Sequence, residues 1–212
     1  MAMEIETQLG YRTETGRKRR ERTRYKLIEA AARLVAHQGA DSATIDDFAR
    51  EAKVARGTFY NYFPTREDLL EALWAHVGHV PFHRIQQAIT VFDDPAKRIV
   101  ATMHLVAHHA DEDSIWGWLL LSMSGLSQVN VDLRAYPTPD LKLGLQSGRF
   151  SFNDLTSARD LVVSAVRAML RARLEQRASD AYVADLARML LLALGVREPE
   201  ASELSMDPSP IT

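Results

Sequence analysis

Residues 43 to 66, ATIDDFAREAKVARGTFYNYFPTR, constrain the fold more than any other stretch of this 212-residue chain. The segment reads as two short helices with a tight connection. Thr44 can cap the first, and Asp47 three residues on completes a capping-box pattern. Ile45, Phe48, Ala49 and Ala52 recur at the spacing of one apolar helix face. A break at Lys53 and Val54 follows, and a second helix is expected from about Ala55 to Phe63. It sets Phe59 and Phe63 four apart on one face, among Arg56, Thr58, Tyr60, Asn61 and Tyr62. Pro64 stops it, because proline disfavours helical geometry in the residue before it. A helix this short, with so many outward polar and aromatic groups, suits a major groove better than a core.

Upstream, residues 1 to 16 lack periodicity and read as a disordered arm. A helix is expected from about Arg17, with Tyr25, Ile28, Ala32 and Val35 on its apolar side and Gly39 just past its end. Its start is strongly basic: Arg17, Lys18, Arg19, Arg20, Arg22, Arg24 and Lys26 stand against one acid, Glu21. The net charge of the whole chain is only -2, so the basic cluster is local and the remainder is acidic. Cations at a helix start oppose the helix dipole, and a phosphate partner would remove that conflict. A solvated helix start is the plainer alternative.

Downstream every segment reads as helix. Thr65 caps a helix carrying Leu69, Leu70, Leu73 and Trp74, with bends expected at Gly78 and Pro81. Pro95 suits a first helical turn. Residues 130 to 148 hold two prolines and two glycines and leave room for one short helix. Two long helices follow, about 153–176 and 179–194, the second apolar nearly all round, so it needs cover on both sides. The tail 197–212, with three prolines and several acids, reads as disordered.

Several function classes drop out. With no cysteine there is neither a disulfide framework nor a thiolate metal site, which fits a cytoplasmic protein. No apolar run reaches the roughly 18 residues of a membrane span. No phosphate-binding glycine loop, zinc-protease helix or nucleophile elbow is present, so no catalytic residue and no cofactor is assigned and the chain is not expected to be an enzyme. His104 and His108 share a helix face at a spacing that can bind a metal, but no third ligand is evident. Histidines near a helix C-terminus also suit its dipole. No metal site is assigned, and a metal sensor built on these two stays a secondary alternative.

The stretch TIDDFAREAKVARGTFYNYFPTREDLLEAL resembles the TetR family of bacterial transcriptional repressors. The matching residues are Thr44, Ile45, Ala49, Val54, Gly57, Thr58, Phe59, Tyr60, Tyr62, Phe63, Leu69 and Leu70. The resemblance covers about residues 20 to 75; beyond that only the all-helical layout agrees. It departs from the family at Lys53, where glycine is common, and at Ala55, where a hydroxyl usually caps the second helix. Lys53 is expected to carry strain of about 1 kcal/mol if its φ is positive.

The resemblance implies an all-α homodimer on a pseudo-palindromic, double-stranded DNA operator, released by a small, mainly apolar effector. The implied layout is a DNA-binding helix-turn-helix domain over 17–64 and a ligand-binding and dimerisation domain over 65–196. Implied DNA contacts are Arg56 and Tyr60 to bases or phosphates, and Thr44, Gly57, Thr58, Tyr62 and Arg66 to the backbone. Asn61 and the cluster Arg17, Lys18, Arg19 and Arg20 join this surface, with Phe48, Phe59 and Phe63 packed inward. Tyr60 and Tyr62 stay divided between DNA contact and packing. Candidate effector contacts are Trp74, Phe82, Met103, His104, Trp116, Trp118, Met123 and Phe150, each with core packing as its alternative. Val162, Val166, Met169, Leu186, Leu190 and Leu191 are the candidate dimer contacts, and the helix from Thr65 is the candidate lever. An architectural DNA-binding protein without a small ligand is the alternative function.

Overall fold

The computed structural model describes residues 2–39, 42–123 and 136–206, with side chains from residue 17 onward. It is helical, with no strand among the described residues, and it divides into two units between Leu73 and Trp74. No helix among the described residues is long and apolar enough to cross a membrane.

The first unit holds α1 (Ala2–Gln38), α2 (Ile45–Glu51), α3 (Arg56–Tyr60) and α4 (Arg66–Leu73). Leu27, Ile28, Ala31 and Val35 of α1 are buried with Phe48, Phe59, Phe63, Leu69, Leu70 and Leu73. α2 and α4 pack on α1, and α3 packs on α2. Both expected caps form. The Thr44 hydroxyl accepts from Asp47 N while Thr44 N donates to the Asp47 carboxylate at 3.0 Å. Thr65 and Asp68 repeat the pattern at 2.9 and 3.1 Å.

Two expectations change in this unit. The expected disordered arm is helical backbone over residues 2–16, because α1 begins at Ala2. No proline interrupts the chain before Pro64, and Arg17 pairs with Glu21 one turn on. The boundary moves from residue 64 to residue 73, because α4 buries three leucines against α1.

The second unit is arranged around α6 (Pro95–Glu112). A π-helical turn, Trp74–Gly78, leads into α5 (His79–Ala88). After α6 come α7 (Ser114–Met123), α8 (Thr138–Gln146), α9 (Leu155–Leu174), α10 (Asp180–Ala193) and α11 (Glu200–Met206). α6 contacts each of α5 and α7 to α11, and ten of its residues are buried. Its start is well set: Asp94 caps it through Ala96 N at 2.9 Å, and Pro95 takes the first position. The expected bend at Gly78 is the π turn. A Cβ there would lie 2.1 Å from the Trp74 ring, so only glycine fits.

The tail is a correction. From residue 197 the chain forms α11 and buries Ala201 and Ser205. Three anchors override its polar composition. Glu198 pairs with Arg188, Glu200 meets Arg149 at 2.8 Å, and the His104 ring donates to the Ser205 carbonyl at 3.0 Å. Residues 207–212 lie outside the described residues.

The α2–α3 turn explains the unusual Lys53. Val54 N donates to Ala49 O at 2.9 Å and Lys53 N to Arg50 O at 3.1 Å, a Schellman closure that needs a left-handed residue between them. Lys53 supplies it with φ of 56°. Lys53→Gly is expected to raise stability by about 1 kcal/mol by removing the Cβ penalty. Equilibrium urea unfolding checks this, and an unchanged midpoint would mean the turn is unstrained.

Candidate nucleic-acid interface

α3 has five residues, too few to persist alone in water. Phe59 fixes its orientation, fully buried with its ring centroid 6.0 Å from that of Phe63. With that face inward, Arg56, Gly57, Tyr60 and Asn61 are exposed and Thr58 is half-buried. Ala55 gives the first amides of α3 no side-chain acceptor, as expected from its lack of a hydroxyl.

Arg56 is not idle on this face. Its guanidinium bonds both oxygens of Asp46 on α2, at 3.0 and 2.8 Å, and reaches the Tyr60 hydroxyl at 3.4 Å. These contacts, that to Tyr60 first, hold the guanidinium above its usual pKa, so it is a permanent cation. The side chains of Arg56 and Asp46 are 60% and 55% exposed, so the pair is screened and contributes little to folding. It pre-orients a cation that a phosphate or guanine edge can take over. Asp46 had no part in the sequence reading. Only the ten-residue separation across the turn, visible once α2 and α3 pack, brings it in.

Gly57 offers a separate observation. A Cβ built there meets nothing within 4 Å, so no packing inside the protein requires glycine. The bare position leaves room for a close approach from outside.

Three other expected contacts are already engaged. The Thr44 hydroxyl donates to Asp47 at 2.6 Å as part of the α2 cap. Arg66 donates from Nε to the Ala43 carbonyl at 2.9 Å, tying the two ends of the α2–α3 segment. Tyr62 is half-buried beneath Arg20, whose guanidinium lies 5.9 Å from its ring centroid. Arg24 lies similarly over Phe63 at 5.3 Å. Arg17, Lys18, Arg19 and Arg20 are all exposed along α1, so the basic cluster and the exposed face of α3 belong to one small unit. The tyrosines divide as the sequence left open: Tyr60 is 43% exposed and Tyr62 packs.

In the second unit, Trp74, Phe82, Met103, Trp116 and Phe150 are buried core. Trp116 donates to the carbonyl of Gly78 at 3.1 Å and stacks edge-on with His109 at 4.6 Å. Trp118 is half-buried, and the side chain of Met123 lies outside the described residues. Of the seven expected effector contacts whose side chains are described, His104 alone lines a groove of about 720 Å³ beside α6, α10 and α11. Its nearest helical neighbour on that face, His108, turns to Glu112 at 3.5 Å. The expected dimer contacts need correction. Val162, Met169, Leu190 and Leu191 are buried within the protomer, and Val166 and Leu186 are half-buried. Helix α10 is apolar on two sides, and the four buried residues lie on its inner side and that of α9. The outer sides expose Leu161, Tyr182, Met189 and Leu192.

Comparison with known proteins follows the same division. Residues 27–73 match the family model of bacterial regulatory proteins, tetR family. Residues 94–206 match that of the tetracyclin repressor-like C-terminal domain. The chain is similar to the solved structure of RolR in complex with resorcinol: 31% identity, a TM-score of 0.67, and coverage of 92% of this chain and 98% of that one. It is 32% identical over 89 residues to the regulator YuxN of Bacillus subtilis, covering 40% of this chain and 31% of that protein. It is 39% identical over 69 residues to the repressor LfrR of Mycolicibacterium smegmatis, covering 32% and 35%. These alignments span about a third of each curated relative's length.

Gly57→Ala should leave the fold intact and stabilise α3 by up to about 1 kcal/mol, while lowering DNA affinity. Paired thermal melts and fluorescence-anisotropy titrations read the two effects. Affinity that rises with stability would remove Gly57 from the interface.

Proposed function

The chain belongs to the TetR family of bacterial regulatory proteins, and from that premise we propose that it is a ligand-responsive repressor acting as a homodimer on a pseudo-palindromic operator. It is a helix-turn-helix transcriptional regulator and not an enzyme. The observation that carries the finer reading is the exposed set Arg56, Gly57 and Tyr60 on a helix whose opposite side is anchored by the buried Phe59. Arg56 is the base-reading candidate, since a bidentate arginine–guanine pair discriminates by roughly 1–3 kcal/mol. Gly57, Thr58 and Asn61 lie where a phosphate backbone would pass, and Arg17 to Arg20 supply the sequence-independent attraction. Thr44, Tyr62 and Arg66 act by holding the reading helix in place.

Repression is favoured by the name of the relative LfrR, and a small-molecule effector by the resorcinol complex of RolR. Effector binding in the second unit acts by population shift. It favours a state in which the two α3 helices of a dimer no longer match half-sites one DNA turn, ~34 Å, apart.

The dimer reading rests on the exposed apolar side chains of α9 and α10. Leu161, Tyr182, Met189 and Leu192 are 37–55% exposed, a spread of large apolar groups that a second copy would cover. Met189→Glu combined with Leu161→Glu should give a folded monomer in sedimentation velocity and lower operator affinity at least tenfold. A variant that stays dimeric would place the interface elsewhere, and a monomer with unchanged affinity would remove dimerisation from DNA recognition.

A further inference from the structure

A second cavity in the same unit, about 190 Å³, opens between α5, α6 and α8. Its lining includes Gln86, Ile89, Arg98, Tyr136, Pro139 and Asp140. Two polar atoms of this lining, Gln86 Nε2 and Tyr136 Oη, are buried without a hydrogen-bond partner. Buried polar groups are nearly always paired, so two orphans on residues that line one cavity call for a partner beyond the described residues.

The remaining polar wall is already balanced. Arg98 meets Asp140 at 3.2 Å and donates to the Phe92 carbonyl at 2.6 Å, and Thr102 donates to the Arg98 carbonyl at 2.8 Å. Burial raises the Asp140 carboxyl above its ordinary pKa, against the opposing pull of Arg98. Burial also raises the Tyr136 phenol, against the opposing pull of the nearby Thr102 hydroxyl and with Asp140 adding to the rise, so Tyr136 stays neutral and keeps its proton. The ion pair cancels its own charge and leaves the cavity no net charge to offer a ligand.

These features set the chemistry of an occupant. It must accept from the Gln86 amide and exchange a hydrogen bond with the Tyr136 hydroxyl, which a hydroxyl group does in both directions. Its body must suit Ile89 and Pro139. The volume is slightly larger than the ~150 Å³ apolar cavity that takes one benzene. The larger groove does not carry the same argument, because its ionic groups already satisfy one another. Arg173 pairs with Asp111 and Asp180, Arg188 with Asp185 and Glu198, and His104 with Ser205.

We propose that the Gln86–Tyr136 cavity is the effector site and that it takes a small neutral hydroxylated ring compound of the phenol class. The proposal rests on the reading of the chain as ligand-responsive and assigns that response to a polar site, where the sequence pointed to an apolar one.

Calorimetric titration of the full-length chain with phenol, 1,3-dihydroxybenzene and benzene tests it. The hydroxylated rings should bind at least tenfold tighter than benzene. Tyr136→Phe, which preserves ring volume, should weaken their binding tenfold or more and leave benzene nearly unchanged, and Gln86→Leu should act in the same direction. Equal binding of phenol and benzene, no binding of either hydroxylated ring, or indifference to Tyr136→Phe would overturn the assignment. Anisotropy on DNA selected from a random pool separates the two levels. Selective ring binding that leaves DNA affinity unchanged supports the site and removes ligand-controlled release. Release by another compound whose binding ignores Tyr136→Phe keeps the release and overturns the site.

Discussion

The burial of Phe59 is the constraint on which the DNA-binding unit depends. A helix of five residues has almost no stability of its own, and its single fully buried side chain decides which way the other four face. Phe48 and Phe63 are buried with it, and α1 and α4 supply the rest of the core. Everything outward on α3 is then available for function. The Arg66 bond to the Ala43 carbonyl closes the segment, and the Schellman turn at Lys53 sets the relation of α3 to α2. The exposed Arg56–Asp46 pair fits this frame as a holding contact, weak enough to be exchanged for a stronger anionic partner.

The second unit follows a different logic. Its large aromatic residues serve packing: Trp74 and Trp116 are buried, and the Gly78 carbonyl exposed by the π turn accepts the Trp116 indole. Polar groups do the specifying. Arg149 joins the α6 cap residue Asp94 to Glu200 of the last helix, and both contacts raise its already high pKa. Among the described residues five buried polar atoms of this unit lack a partner, and two of them, on Gln86 and Tyr136, belong to the lining of the proposed effector cavity.

Much of the first unit was legible in the sequence because its determinants are local. Capping residues three apart and a phenylalanine pair four apart are short-range signals, and each formed as read, whereas the second helix ends at Tyr60, three residues short of the Phe63 expected from the proline stop. Even the positive φ at Lys53 follows from a family pattern in which glycine is common there. The misreadings arose where distant contacts decide. Glu198, Glu200 and Ser205 order a tail whose composition alone suggested disorder, through partners 10 to 101 residues away. Leu190 and Leu191 are buried in their own protomer, and an all-apolar helix does not reveal from sequence which side faces its own core. Tyr136 and Asp140 lay in a stretch read as loops with one short helix, and no periodic signal marks a cavity wall.

In the proposed function α3 reads DNA twice, from a symmetric pair. Hydroxyl-radical footprinting of a high-affinity DNA selected from a random pool tests it most directly. Two protected tracts are expected, related by approximate two-fold symmetry and centred about one helical turn apart. A single continuous tract that moves freely along unrelated sequences would contradict it.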